Sequence, residues 1–368
     1  MKLLFATAAA ALLLVTSAVN AQALPSHESV WTPDTRRSHS LATSALELYN
    51  FYGEVSIGTP PQKFKLLFNT QEDVVSIPNF QTPASHHAFY NHSRSSSYEA
   101  DGSRFASAER MYMFGGFLSR DIIRFGDFTL SNVSFAEATM VLCPSHFTDL
   151  KIDGMFGLGA NQVTNFVLQR LLSSGAIGKS MFAFYFPKRN KKGEKSATTA
   201  AVDAPTSAGE LTIGAIDKRH YTGDIHYVDT LVDTLVDTAW AVSLDAVTTS
   251  NSSSSNASND IVTVGKTSKA LIIPSWPIIR GPKEEIKKLA KAVGADRGMI
   301  DCSSEGPDIV FHIAGVKYTL TKDDYTIRDN DDDNGANRRE DSCRWAFMEF
   351  PVEGLWWVGQ PFLKKFYT

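Results

Sequence analysis

Short runs of alternating apolar and polar residues, separated by turn residues, recur along most of the chain. The clearest runs are GEVSIG, KFKLLF, GGFLSRDIIRFGDFTLSNVSF and MFAFYF. A period of two is typical of strands with one buried face. Turn residues recur at the spacing expected of an all-β protein, so the pattern predicts a mostly β fold with few helices.

Two segments instead show the helical period. Around residues 165–174, Phe166, Leu168 and Leu171 fall on one side. The stretch PKEEIKKLAKAVG, residues 282–294, has Pro at its start, two Glu in its first turn and Gly at its end. These are start and stop signals of a helix, so we expect one helix in each part of the chain.

Polar segments divide the chain. At 368 residues it is too long for one typical domain and suits two lobes of about 150 residues each. Residues 188–208 lack apolar periodicity and read as a linker or insertion. The sequence therefore predicts an N-terminal lobe over 48–187, an interlobe linker over 188–208 and a C-terminal lobe over 209–368.

The N-terminus has the pattern of a secretory leader. Lys2 precedes an apolar run from Leu3 to Val19, and small residues follow. This run is short for a membrane span, which is the alternative interpretation. We predict a signal peptide over residues 1–21, a short propeptide-like segment over 22–47 and a secreted mature protein without a membrane partner.

The charge balance bears on partners. The net charge is −4 and the pI is near 6.1, with both signs mixed along the chain. This gives no electrostatic reason to expect nucleic acid as a partner, and we expect a monomer.

Cysteines and glycosylation sequons fit an oxidising compartment. Cys302 and Cys343 lie 41 positions apart in the last third of the chain, and we predict that they form a disulfide. A loop of that size would add about 3–4 kcal/mol. Cys143 is then an unpaired thiol. Four sequons predict N-glycosylation, at Asn91, Asn132, Asn251 and Asn256.

Six segments occur in an order that resembles one known family. They are YGEVSIGTPPQKFKLLFNT, IDGMFGLG, GELTIGAIDKRHYTGDIHYV, IIRGPKEEIKKLAKAVGA, PDIVFHIAGVKYTLTKDDY and LWWVGQPFLKKFYT. In this order they resemble the pepsin-like aspartic peptidases, the peptidase A1 family. The resemblance covers nearly all of the chain after about residue 48. It implies an all-β, bilobal acid-protease fold with a peptide cleft between the lobes.

The resemblance also implies where catalytic acids should lie. Members of the family use two aspartates, one from each lobe, which share a proton and hold a water. The first Asp-Thr-Gly falls on Asn69, Thr70 and Gln71. The second Asp-Thr-Gly-Thr-Ser falls on the residues from Ile273 to Pro277, which places Ser275 and Trp276 in the loop.

Neither acid is present at these positions. Asn69 resembles Asp in shape but cannot titrate, and Ile273 has neither its shape nor its polarity. No Asp or Glu occurs from Ala270 to Pro282, and the chain contains no Asp-Thr-Gly. The family's tyrosine on the hairpin over the cleft falls on Glu109. The sequence therefore predicts no intact catalytic site.

Three hypotheses follow. The first is a secreted, non-catalytic pepsin-like protein that binds a peptide, a peptidase inhibitor or another protein. The second is an active aspartic endopeptidase with a displaced acid, for which Glu72 and Asp73 are the nearest carboxylates. The third is a protein with a marginal fold, because the chain is expected to end short of the family's last strand.

Two segments weakly resemble metal-binding patterns. His86, His87 and His92 lie close in sequence, but a solvated loop is the favoured interpretation. Residues 330–341 imitate a calcium loop, yet they start with Asn and lack flanking amphipathic helices. We expect no metal and no cofactor.

Overall fold

A computed structural model describes the protein over residues 2–7, 29–31, 51–80, 87–107, 113–142, 152–161, 166–186, 209–231, 239–250, 268–327 and 342–368. Several predicted features lie outside these residues. They are Glu109, Cys143, Asn251, Asn256, His86, the linker 188–208 and the acidic segment 330–341.

The described part of the chain is mostly strand, which confirms the all-β prediction. Its first eleven strands are β1 Lys2–Thr7, β2 Ser29–Trp31, β3 Tyr52–Ile57, β4 Gln62–Asn69, β5 Ser76–Pro78, β6 Glu99–Ala106, β7 Met113–Phe125, β8 Phe128–Leu142, β9 Gly154–Gly157, β10 Phe182–Tyr185 and β11 Glu210–Ile213. The rest are β12 Ile225–Asp229, β13 Ala241–Ser243, β14 Ala246–Ser250, β15 Lys269–Ile272, β16 Ile279–Pro282, β17 Met299–Asp301, β18 Asp308–Ile313, β19 Val316–Leu320, β20 Thr326–Ile327, β21 Ser342–Trp345, β22 Phe347–Phe350, β23 Leu355–Val358 and β24 Phe366–Tyr367.

Both predicted helices are present. They are α1 Phe166–Ser173 and α2 Lys283–Val293, and Gly294 ends α2 in the left-handed conformation at φ 74°. The periodicity of the sequence did not predict α3 Lys322–Tyr325, α4 Gln360–Leu363 or a 3-10 turn at His92–Arg94. Each is a single turn, too short to show a 3.6-residue period.

The chain divides into two compact units. The N-terminal unit comprises residues 11–221 and 234–239, and the C-terminal unit comprises residues 1–10, 222–233 and 240–368. The sequence placed the start of the C-terminal lobe at residue 209. Strand β11 nevertheless belongs to the N-terminal unit, because it pairs antiparallel with β10.

The N-terminal unit is built on a seven-stranded sheet of order β3-β4-β9-β5-β8-β7-β6, with a smaller sheet β10-β11-β2. Aromatic side chains fill its interior. The Phe51 ring lies 5.4 Å from that of Phe68 and 5.5 Å from that of Phe184. All three are buried, and burying such a side chain contributes about 1.5–3 kcal/mol.

The C-terminal unit contains a five-stranded sheet of order β13-β15-β23-β16-β22 and three smaller sheets, β14-β18-β19, β17-β21-β20 and β12-β1-β24. One face of the five-stranded sheet carries Trp356, which is fully buried. Its ring meets that of Phe311 edge-on at 5.9 Å, and Phe362 lies 5.7 Å from Phe311. This aromatic group anchors the sheet to its neighbours.

The extreme N-terminus takes part in a sheet. The backbone of β1 pairs antiparallel with β12 over five residues and with β24 over two. The signal peptide over residues 1–21 stays a prediction. Among the residues that the structure describes, no helix has both the length and the apolar character needed to cross a bilayer.

The predicted disulfide is confirmed. Cys302 and Cys343 are bonded, with their Cα atoms 5.4 Å apart. Strands β17 and β21 bring them together, since Ile300 pairs with Cys343. The bond therefore closes one edge of a small sheet in the C-terminal unit.

We expect peptide mapping of the unreduced protein to recover Cys302 linked to Cys343 and Cys143 as an alkylatable thiol. Cys302 and Cys343 are bonded to each other beside the pairing of β17 and β21, and Cys143, the third cysteine of the sequence, is then predicted to be unpaired. Denatured, reduced protein serves as the control, with all three residues alkylated. Recovery of Cys143 in a disulfide would contradict the assignment.

Candidate functional site

The first candidate loop follows strand β4. That strand runs parallel to β9, and its last residue, Asn69, is in register with Gly157. The backbone N–H of Leu158 donates to the Asn69 carbonyl oxygen at 2.7 Å. The pairing therefore extends beyond the strand and fixes the start of the loop.

The Asn69 side chain is buried and forms a hydrogen bond within its own loop. It is 2% exposed, and its Oδ1 accepts a hydrogen bond from the backbone N–H of Gln71 at 3.0 Å. This is the local side-chain-to-backbone bond by which Asn and Asp stabilise turns. Thr70 is also buried, and Gln71 is half-buried. An amide at this position accepts and donates hydrogen bonds but does not titrate in the physiological pH range.

The loop packs closely against β9. A Cβ atom at Gly157 would overlap backbone atoms of Asp73 and Val74. Only glycine lets two backbones approach this closely. Gly157 therefore fixes the distance between the Asn69 loop and the parallel strand.

The two nearby carboxylates are held by the scaffold of the N-terminal unit. Glu72 accepts a hydrogen bond from the Ser107 hydroxyl, at the end of β6. Asp73 is buried and accepts from the backbone N–H of Asn161 at 3.2 Å. Both acids thus connect the loop to neighbouring segments.

The second candidate loop follows β15. The Ile273 N–H donates to the Val358 carbonyl at 3.0 Å, and the Trp276 N–H donates back to the Ile273 carbonyl at 3.1 Å. Ile273 is fully buried. The loop is thus a tight turn whose first side chain lies in the interior of the C-terminal unit.

Gln360 holds this second loop from the opposite side. Its backbone N–H donates to the Trp276 carbonyl at 2.8 Å, and its side-chain Nε2 donates to the Pro274 carbonyl at 3.3 Å. A Cβ atom at Gly359 would overlap the carbonyl oxygens of Ile278 and Trp276. A glycine again sets the approach of loop and strand.

The two loops have the same place in the topology of their own units. Asn69 ends β4, which is parallel to β9, and Ile273 directly follows β15, which is parallel to β23. Each parallel partner leads to a glycine that contacts the loop, Gly157 or Gly359. The positions of Asn69 and Ile273 are therefore structurally comparable.

The Trp276 side chain packs against residues of the neighbouring strands β16 and β23. Its ring centroid lies 5.4 Å from that of Trp357 and 5.3 Å from the guanidinium carbon of Arg280. Trp276 and the adjacent Ser275 are both half-buried. The sequence indicated a bulky residue in this loop, but it did not indicate that an arginine lies beside it.

The sequence also missed a buried acidic network in the N-terminal unit. Glu137 is fully buried and accepts from the Ser119 hydroxyl, with His92 Nδ1 at 3.1 Å. Asp121 accepts from the Tyr90 hydroxyl at 2.6 Å. Burial, together with Asp121, raises the pKa of Tyr90. Strand alternation gave no sign that inward-facing acids would occur here.

One group of side chains has the composition of a metal site. Glu210, Asp217 and His220 place ligand atoms within 4.8 Å of one another. The Arg219 guanidinium, however, already bridges both oxygens of Asp217, and His220 Nε2 lies 3.0 Å from Glu210. The Arg219 hydrogen bond lowers the pKa of Asp217. A salt-bridge cluster accounts for this group.

The two described histidines of the candidate metal pattern, His87 and His92, lie beside different carboxylates. His87 Nδ1 lies 3.9 Å from Asp153, whereas His92 contacts Glu137. The pattern in the sequence therefore does not correspond to one cluster among the described residues.

Two predicted glycosylation positions lie within the described residues. Asn132 is exposed and has φ 55°. Asn91 is half-buried, and its Oδ1 accepts from the Ser93 N–H at 3.0 Å. Their modification stays a prediction.

Comparison with known proteins decides the family. A family model described as eukaryotic aspartyl protease matches residues 50–368. The chain belongs to this family. Two structurally comparable loops at the ends of parallel-paired strands, one in each unit, are consistent with that membership.

Aspartyl protease relatives match over most of the chain. A renin of Echis ocellatus is 28% identical over 336 residues, covering 86% of this chain and 76% of the renin. A renin of Canis lupus familiaris is 28% identical, with coverage of 92% and 82%. Vacuolar protease A of Aspergillus fumigatus is 29% identical, with coverage of 86% and 75%.

Proposed function

We propose that this aspartyl protease family member is a secreted pseudopeptidase. It lacks both catalytic aspartates and binds a peptide, a peptidase inhibitor or another protein without hydrolysing it. The observation that carries the proposal is the pair of comparable loop positions occupied by Asn69 and Ile273.

The chemistry of the family makes this pair of residues decisive. Peptide hydrolysis by two carboxylates needs one ionised to take a proton from water and one protonated to polarise the carbonyl. The Asn69 amide cannot take a proton from water or share one with a second acid, and Ile273 is a buried hydrocarbon with no polar group. Loss of either acid removes the shared proton, and both are lost here.

The alternative is an active endopeptidase that uses a displaced acid. Glu72 and Asp73 are the candidates near the first loop. Glu72 accepts a hydrogen bond from Ser107, and the buried Asp73 accepts one from the Asn161 backbone. Both carboxylates therefore already have hydrogen-bond partners within the N-terminal unit. No Asp or Glu occurs from Ala270 to Pro282, around the second loop. These contacts favour the non-catalytic proposal.

Secretion is part of the proposal and rests on the N-terminal sequence. The apolar run after Lys2, the sequons and the disulfide are all typical of proteins that pass through an oxidising compartment. The related proteins include renins and a cathepsin D from Chionodraco hamatus that is 27% identical.

We expect the purified mature protein to hydrolyse no peptide bond between about pH 2 and 7, because the dyad mechanism needs two carboxylates. A denatured protein substrate and mass spectrometry of the products provide the measurement. An active relative, assayed in parallel with and without a pepsin-class transition-state analogue, is the control. Cleavage that this inhibitor abolishes would contradict the proposal and support the displaced acid.

A further inference from the structure

Arg280 lies in an aromatic cage on the five-stranded sheet of the C-terminal unit. Its guanidinium carbon is 5.3 Å from the ring centroid of Trp276, 5.0 Å from that of Phe350 and 5.4 Å from that of Trp357. We refer to these four residues as the Arg280 cage. Guanidinium groups stack well on aromatic faces, and tryptophan is the most favourable ring.

The sheet itself builds this cage. Arg280 and Trp357 are directly opposite each other in the antiparallel pairing of β16 and β23, so their side chains share one face. Arg280 is also in register with Met348 of β22, and Phe350 lies two residues further on. Strand register therefore places aromatic rings around Arg280, and these rings hold the arginine side chain in position.

The charge of Arg280 has no counter-ion among the described residues. None of their carboxylates forms an ion pair with it, although the side chain is half-buried. Its hydrogen bond within the described chain is a long one, from Nη2 to the Glu349 carbonyl at 3.5 Å. Burial lowers the pKa of Arg280, but a guanidinium stays charged in proteins.

Two nitrogen donors in the cage lack acceptors. Arg280 Nε and Trp357 Nε1 are both buried and find no hydrogen-bond acceptor in the described part of the chain. Buried donors are nearly always paired, so the protein itself satisfies this cation poorly. Both nitrogens are closed off from solvent, so a ligand would reach the half-buried guanidinium through its Nη groups, and a cation beside apolar rings matches a carboxylate on an apolar segment.

We infer that the Arg280 cage is a binding subsite for a carboxylate carried by an apolar peptide segment. The guanidinium of Arg280 donates to the carboxylate oxygens, and the half-buried ring of Trp276 packs against the flanking apolar side chains, while the buried rings of Phe350 and Trp357 support the guanidinium from inside the protein. The inference rests on the proposed function, because it assigns a chemical preference to a protein that binds peptides without cleaving them.

The test uses three pools of N-acetylated octapeptides. Seven positions are drawn at random from Ala, Val, Leu, Phe and Ser, and the eighth is Glu or Gln. The Glu pool and one Gln pool carry a C-terminal amide, and a second Gln pool has a free C-terminal carboxylate. Retention of each pool on immobilised full-length protein at pH 6.5 is measured by mass spectrometry.

We expect a carboxylate-bearing pool to be retained about tenfold more than the amidated Gln pool, the usual effect of a charge-assisted hydrogen bond. Preference for the Glu pool identifies a side-chain carboxylate, and preference for the free-terminus pool identifies a chain terminus. At pH 3, where a peptide Glu is protonated, the Glu preference should disappear. This arm of the test needs no variant.

Variants of Arg280 test whether the preference for a carboxylate arises at the Arg280 cage. Arg280→Gln should reduce retention of the preferred pool to that of the amidated Gln pool, and Arg280→Lys should restore part of it. Arg297→Gln is the matched control, since Arg297 has a side chain that is 91% exposed. Circular dichroism and melting curves verify that each variant is folded.

The remaining outcomes separate this inference from the proposed function. Equal retention of all three pools by the wild-type protein overturns the Arg280 inference and leaves peptide binding intact. A preference that survives in folded Arg280→Gln also overturns it. If the wild-type protein retains no pool, the inference fails together with the peptide-binding form of the proposed function.

Discussion

The double substitution Asn69→Asp and Ile273→Asp is expected to leave peptide hydrolysis at the background rate, although it restores both acidic residue types. An acid–base group must lie within hydrogen-bond reach, about 2.6–3.2 Å, of the water it activates. The second loop does not present residue 273 in that way, because Ile273 is fully buried.

The two halves of this double variant should behave differently. Asn69→Asp keeps the shape and the oxygen that accepts from the Gln71 N–H, so its effect on stability should be small. Ile273→Asp removes a buried hydrocarbon and places a carboxylate among apolar groups. We expect it to lower the free energy of unfolding by about 3 kcal/mol or more at neutral pH.

The geometry of the second loop makes a single substitution there insufficient to produce a catalytic site. The turn from Ile273 to Trp276 contains no glycine, and Gln360 holds it through the Pro274 and Trp276 carbonyls. Catalysis is therefore expected only when the whole segment 273–277 is replaced together with Asn69 and Gln71.

The measurement is turnover of a fluorogenic pepsin-type peptide at acid pH, with urea unfolding of each variant in parallel. Ile273→Val is the matched control for packing and should cost about 0.5–1.5 kcal/mol without altering turnover. Turnover by the double variant that is well above background and blocked by a pepsin-class inhibitor would show that both loops retained catalytic geometry.

Local patterns predicted the elements of this fold well where each element is long. The runs GEVSIG and KFKLLF became β3 and β4, and the capped stretch before Gly294 became α2. Pro at the start and Gly at the end act within a few residues, so the sequence contains the relevant information. The single-turn α3 and α4 have no such periodic signal.

Features that depend on distant residues were not predictable in the same way. The Arg280 cage needs β16, β22 and β23 side by side, and no spacing in the sequence indicates this arrangement. The same holds for buried Glu137, whose partners Ser119 and His92 come from other segments. The placement of β11 in the N-terminal unit also depends on its pairing with β10.

Resemblance predicted positions but not their surroundings. It aligned Asn69 and Ile273 with the positions of the family's two aspartates. The structure adds that the Asn69 side chain accepts a hydrogen bond from its own loop and that the Ile273 side chain is fully buried. The motif indicates which chemistry the proposed function lacks. Only the contacts indicate how difficult it would be to restore.

Gly157→Ala is expected to destabilise the N-terminal unit by about 3 kcal/mol or more, at or above the upper end of the range for overpacking. The added methyl group would overlap backbone atoms of Asp73 and Val74, which cannot rotate away as a flexible side chain can. The Asn69 loop would have to separate from β9, and the hydrogen bond from Leu158 to Asn69 would be lost or stretched.

The chain offers a matched control for this substitution in the same unit. At Gly178 an added Cβ meets nothing within 4 Å, and the backbone is not left-handed. Gly178→Ala should therefore be neutral or stabilise the protein by about 0.4–1 kcal/mol, since alanine reduces the freedom of the unfolded chain. Urea unfolding followed by circular dichroism compares the two variants. Equal stability of both would show that the first loop can move away from β9, and the close packing that holds Asn69 in place would then not be a constraint on the site.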